Sequence, residues 1–133
     1  MEATLTRQDV GNPYLENQVM TASREQLILM LYNGAIKFAN LGLVMFEKQD
    51  WGRAGYNLVR AQKIVHYLSL CLNMQAGGEI AKNLGKLYEY INRRLSQGYL
   101  EKAAAPVEEC IRLMKTLRDA WDEGVVQRPG ETA

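Results

Sequence analysis

From Leu27 onward the chain repeats apolar residues at alternating steps of four and three, a period close to the helical turn that restricts it to helices packed along their lengths. Leu27, Leu31, Gly34, Phe38, Leu41 and Met45 make a first stripe, and Ala54, Leu58, Ala61, Val65, Leu68 and Leu72 a second. Ile80, Leu84, Leu87, Ile91 and Leu95 mark a third; Val107, Ile111, Met114, Leu117 and Trp121 a fourth. No strand-like alternation competes with these stripes.

The segments between the stripes carry the chemistry of helix ends. Ser23-Arg24-Glu25-Gln26 fits a capping box, in which the Ser23 hydroxyl accepts from the Gln26 amide while the Gln26 side chain reaches back. Asp50 offers the next N-cap after a break at Lys48-Gln49. Gly77-Gly78 stops the second stripe, Glu79 is a first-turn acid of a third helix, and Gly98 is placed to close that helix as a C-cap. Pro106 suits the first turn of a fourth helix, where its missing N–H removes no helix bond. Four amphipathic helices with short connections predict an all-α fold, an antiparallel up-and-down four-helix bundle over residues 23–123. Residues 1–22, with Gly11-Asn12-Pro13-Tyr14, read as an extended or short-helical N-terminal tail, and 124–133, with Pro129 and Gly130, as a second flexible end.

Composition excludes several classes of function. Sixteen Lys and Arg against fifteen Asp and Glu leave +1, no field for gripping a polyphosphate, so no nucleic-acid partner is expected. The first nine residues lack a basic stretch followed by an apolar one, so no secretory signal is read there. Leu27 to Phe46 has the length of a membrane span, but Asn33, Lys37 and Asn40 sit near its middle, and a central Lys costs about 2.5 to 3.5 kcal/mol on insertion. A buried helix is expected there rather than membrane insertion, in a reducing cytoplasmic setting.

The groups that would carry catalysis are missing from the places that need them. A di-iron bundle requires Glu-x-x-His pairs, and His66, the single histidine, has Lys63 at that offset. By helical phase His66 falls with Gln62, Lys63 and Asn73, away from Cys71, which leaves no base beside that thiol. Cys71 and Cys110 read as small packing residues, and Gly77-Gly78 as a connector without the lysine of a phosphate loop. No enzyme, metal or other cofactor is expected. Arg93-Arg94 suits either an acidic partner or a solvated helix face.

One stripe per helix builds a bundle, so further apolar residues must widen the core or line an exposed surface. In the second helix Ile64, Tyr67, Cys71 and Met74 lie well round from the core stripe, and in the first Ile28, Tyr32, Ala35, Ala39 and Phe46 broaden the apolar arc. Both readings stand on the sequence: a thicker core, or a groove that takes an amphipathic helix. In the second case Ile64, Tyr67, Cys71 and Met74 line the groove, joined by Ile80, Leu84, Leu87, Tyr88 and Ile91 where the third helix turns outward. A second copy of the chain burying the same stripe, as a homodimer, is the rival use of that surface.

Particular words of the sequence point further. Asn12-Pro13-Tyr14, Thr21-Ala22-Ser23 leading to Leu29-Met30-Leu31-Tyr32-Asn33-Gly34-Ala35-Ile36-Lys37-Phe38, and Gly77-Gly78-Glu79-Ile80-Ala81-Lys82-Asn83-Leu84 together resemble the flagellin export chaperone family, FliS. Leu87-Tyr88-Glu89-Tyr90-Ile91-Asn92-Arg93-Arg94-Leu95 and Leu117-Arg118-Asp119-Ala120-Trp121 extend the resemblance from about residue 12 to 122. Arg24, Asn17 and Asn73 depart from it, where many relatives have proline, tyrosine and aspartate, and Asn17 leaves the tail one aromatic anchor short. The resemblance implies a bacterial cytoplasmic chaperone that binds the C-terminal segment of unpolymerised flagellin, prevents premature polymerisation and aids delivery to the export gate. It also implies a regulatory tail, with Asn12, Pro13 and Tyr14 covering the groove when no partner is present.

Overall fold

The computed structural model describes residues 22–75 and 78–124, with the side chains of 73–75 outside that description. Four helices follow in order: α1 Arg24–Glu47, α2 Trp51–Gln75, α3 Gly78–Glu101 and α4 Ala104–Asp122. The expected all-α four-helix bundle is the fold observed. Contacts between α2 and α3 run in opposite directions along the two helices: Gly55 sits against Tyr99, Gln62 against Asn92 and Ser96, and Gly85 against Leu72. At the other side of the bundle the Trp121 indole N–H donates to the Glu25 carbonyl, tying the last turn of α4 to the first of α1. Asn12, Pro13 and Tyr14 lie outside the described residues.

The helix ends follow local chemistry read from the sequence. Ser23 Oγ accepts from the Gln26 amide at 3.1 Å while Gln26 Oε1 accepts from the Ser23 amide at 2.9 Å, the reciprocal box that satisfies two orphan donors. Asp50 Oδ1 accepts from the Arg53 amide at 3.1 Å, so Asp50 starts α2. The same residue finishes α1: its amide bonds to the Met45 carbonyl and the Gln49 amide to that of Phe46, a Schellman turn with Gln49 in the left-handed region at φ 55°. One residue thus serves two helix ends, which is why a turn this short suffices.

Gly98 departs from the expectation. It lies inside α3, which continues to Glu101, and the left-handed residue of the turn is Lys102 at φ 54°, with Ala103 N–H bonding the Gly98 carbonyl. The glycine is there for proximity: a Cβ would stand 2.8 Å from Val107 Cγ2 and 3.1 Å from the Ala103 carbonyl, so the α3–α4 connection folds flat against it. Pro106 is buried in the first turn of α4, where the sequence puts it.

The core absorbs more of the apolar sequence than one stripe per helix. Ala54, Leu58, Ala61, Val65, Leu68 and Leu72 are all buried, and Ile64 with them at 0% exposure. On α1 the broadening residues Ile28, Tyr32, Ala35, Ala39 and Phe46 are buried too, as core rather than surplus. That burial accounts for the apolar run of α1, which is long and apolar enough to cross a membrane by length and composition alone. Tyr32 and Tyr88 join hydroxyls inside the bundle with ring centroids 6.4 Å apart, so each buried polar end has a partner. Burial raises the pKa of both phenols, and they stay neutral.

Candidate protein-binding groove

The outer faces of α2 and α3 do not close over one another. Gly55 lets the ring of Tyr99 lie directly on the α2 backbone, since a Cβ there would stand 2.8 Å from the ring. Two turns further along, Gln62 spans the seam, its Nε2 donating to the Asn92 carbonyl at 2.9 Å and to Ser96 Oγ at 2.7 Å, while Asn92 Nδ2 donates to the Gln62 carbonyl at 3.3 Å. These long or flat side chains fix the helices with a trough between them. A recess of about 560 Å³ opens at its upper end, and Gln62 also lines two more recesses that continue along α2 and α3.

The trough is apolar at its walls and polar at its floor. Tyr56, Val59 and Leu100 stand around the upper recess, Tyr67 and Leu70 around the next, and all five are exposed, Leu100 at 77% and Leu70 at 56%. Exposed large apolar side chains gathered along one furrow are costly to leave in water and are the mark of a partner surface. The floor holds the Gln62 bridge together with Asn92 Oδ1, a buried acceptor without a hydrogen-bond partner among the described residues. The guanidinium of Arg60 lies over the Tyr56 ring at 4.0 Å and donates to its hydroxyl, holding that aromatic wall upright.

The nine residues expected along a groove are divided by this geometry. Tyr67 lines the trough. Ile80 is exposed near the start of α3, Leu84 and Leu87 are partly buried against the core, and so is Cys71. Ile64, Tyr88 and Ile91 are core, at 0%, 4% and 0% exposure, and contrary to the expectation they do not line the groove. Met74 falls in the last turn of α2, with its side chain outside the described residues. At about 100° per residue Ile64 and Cys71 lie about half a turn from Gly55 and Gln62, the α2 residues that meet α3, so they belong to the flank that the bundle seals.

Tyr56, Val59, Leu70, Tyr99 and Leu100 were not singled out by the sequence. Those on α2 alternate with Lys63 and His66, which makes that side of the helix read as polar; the signal is Tyr56, Val59, Lys63, Tyr67 and Leu70, spaced by three and four. His66 is exposed, as expected, and lies in the trough wall. Neither thiol is suited to act as a nucleophile: burial pushes Cys110 up to about 12 and raises Cys71 as well.

The family model described as flagellar protein FliS matches residues 6–128. The chain belongs to the FliS family. Among its relatives, the flagellar secretion chaperone FliS of Bacillus subtilis (strain 168) is 34% identical over 119 residues, 87% of this chain and 88% of the relative. The protein of the same name from Salmonella typhimurium is 37% identical over 110 residues, 82% of each chain. That of Escherichia coli (strain K12) is 34% identical over 114 residues, 84% of this chain and 83% of the relative.

Proposed function

We propose that this chain is a cytosolic flagellar secretion chaperone that holds the C-terminal segment of unpolymerised flagellin in the α2–α3 trough, without catalysis or nucleotide. The observation that carries the reading is the row of exposed apolar side chains, Tyr56, Val59, Tyr67, Leu70 and Leu100, along one furrow of a FliS-family bundle. A filament subunit must keep sticky helical stripes apart until it polymerises, and an apolar furrow sequesters them by burial. The gross gain is about 25 cal/mol per Å² of apolar area, less about 2 to 5 kcal/mol for ordering the guest. Delivery to the export gate follows once cargo is seated, and Asn12-Pro13-Tyr14 would occupy the trough when it is empty.

Calorimetric titration of the purified chain with a peptide of the flagellin C-terminal segment tests this. Tyr67→Glu combined with Leu70→Glu, both exposed, should weaken binding at least about tenfold, a loss of about 1.4 kcal/mol, while helicity and melting stay nearly unchanged. A complex of undiminished affinity in that variant would move the client elsewhere. A stable homodimer that the peptide leaves intact would instead assign the trough to a second copy.

A further inference from the structure

The trough has a charge pattern that its apolar walls do not require. Its lining brings together three cationic ends, Arg60 and Lys63 from α2 and Arg93 from α3, against one carboxylate, Glu101. That is a local excess of two (3 − 1) in a chain whose whole formal charge is +1. The cations stand on both walls. Arg60 is held in place by its stacking on Tyr56 at 4.0 Å, and Lys63 lines both the upper and the middle recess. Arg93 lines the third recess from α3 beside Gln97 and Leu100, with its guanidinium 6.0 Å from the centre of the Tyr90 ring. Between the walls the floor is interrupted by the Gln62 bridge to Asn92 and Ser96, which divides the apolar surface into two stretches.

We propose that the occupant of the trough is an amphipathic helix whose apolar stripe is flanked on both sides by carboxylates, placed to meet Lys63 and Arg60 on one wall and Arg93 on the other. The inference deepens the client reading given above and rests on it. From Gly52 to Leu70 the trough runs for about 27 Å at 1.5 Å per residue, the length of a helix of about five turns. A concave furrow with cations on its rims suits a cylinder of that kind; a lipid surface would call for apolar side chains that protrude beyond the cations instead. Rim charges of this sort choose among apolar guests and speed encounter more than they add to affinity. An acidic-flanked helix is thus preferred over an equally apolar stripe flanked by lysines.

The test uses the full-length chain and the flagellin C-terminal peptide, titrated at about 50 and about 500 mM salt, where the screening length falls from more than 10 Å to a few Å. Lys63→Glu with Arg93→Glu, both at exposed positions, should weaken the native peptide about tenfold at low salt and less at high salt. A peptide whose flanking Asp and Glu are replaced by Lys should bind the charge-reversed chain better than the native chain. If the native peptide loses affinity with Leu70→Glu but ignores both charge reversal and salt, the carboxylate pattern is wrong and the client site stands. If the peptide fails to bind, or binds without regard to Leu70→Glu as well, the client reading falls and takes this inference with it. Capture of the chain by phosphatidylglycerol vesicles through Lys63 and Arg93, with no peptide binding, would overturn it in favour of a lipid surface.

Discussion

The two seams that α2 makes are built from opposite materials. Towards α1 the residues are small: Ala35, Ala39, Ala54 and Ala61 are fully buried on the two helices, and Gly42 sits so close that a Cβ would stand 2.7 Å from Leu58 Cδ2. Towards α3 the fillers are long or flat, with Gln62 reaching across and Tyr99 lying on Gly55, and a trough stays open above them. Both helices carry broad apolar arcs, yet one arc became core and part of the other became surface. Apolar content therefore does not decide which face is sealed; the size of the residues in the seam does, because it sets how closely the two axes approach.

The contrast is most severely tested at Ile64, which the sequence leaves open between core and groove. Ile64→Ala should lower unfolding free energy by about 2 to 5 kcal/mol, since a fully buried side chain leaves a cavity that a helix bundle closes only in part. Urea titration measures it, and guest affinity well below the transition should be unaffected. A loss of affinity without loss of stability would return this residue to the groove. Next in size, Gly42→Val should cost about 1 to 3 kcal/mol by forcing α1 and α2 apart at Leu58, with the α2–α3 trough unchanged. If the variant is as stable as the parent, close approach is not what seals that seam.

How far the sequence could be read follows from the same contrast. Capping at Ser23 and Asp50 and the place of Pro106 depend on residues within one turn of each other, so local chemistry settles them. Gly98 shows the limit: a glycine near a helix end suits a C-cap, and the packing of Val107 against it is a tertiary fact invisible to spacing. The core arc of α2 is wider than its one stripe, because a helix at the corner of a bundle faces two neighbours and so buries Ile64 as well as the central stripe. The trough was legible in part through Tyr67. Its other walls, Tyr56, Val59 and Leu70, sit among charged residues at the edge of the arc, where a groove between helices must lie.

An effect of similar size separates polar groups that the bundle hides from those it leaves in the trough. Tyr32→Phe removes one hydroxyl of the buried pair and strands the other on Tyr88, at a cost of about 1 to 3 kcal/mol in thermal or urea unfolding. Replacing both by Phe should recover most of that loss, because no unpaired hydroxyl then remains. Gln62→Ala, by contrast, opens its partners to a trough that water already reaches, and should cost less than the single Tyr32 change.

The third seam, between α3 and α4, adds to the close packing of Gly98 on Val107 a charged bridge at its surface, and that bridge answers to pH. Glu109 accepts from the Tyr90 hydroxyl at 2.6 Å and from Arg94 Nε at 2.7 Å, and these bonds, the tyrosine's first, hold its carboxyl below the usual carboxylate range. A folded-state pKa below the unfolded value gives stability that is present above the unfolded carboxylate pKa and is lost as pH falls through the folded one. Melting temperature should therefore decline as acid titrates this group, and Glu109→Gln should flatten that part of the profile while lowering stability at neutral pH. The step will be small, because the Arg94 and Glu109 side chains keep 26% and 30% of their surface in water, where solvent screens the pair. Raising the salt should shrink it further at α3–α4 and leave the packing loss of Gly42→Val unchanged, since close approach between α1 and α2 involves no charge. An acid profile identical in the parent and Glu109→Gln would remove charge from the account of that seam.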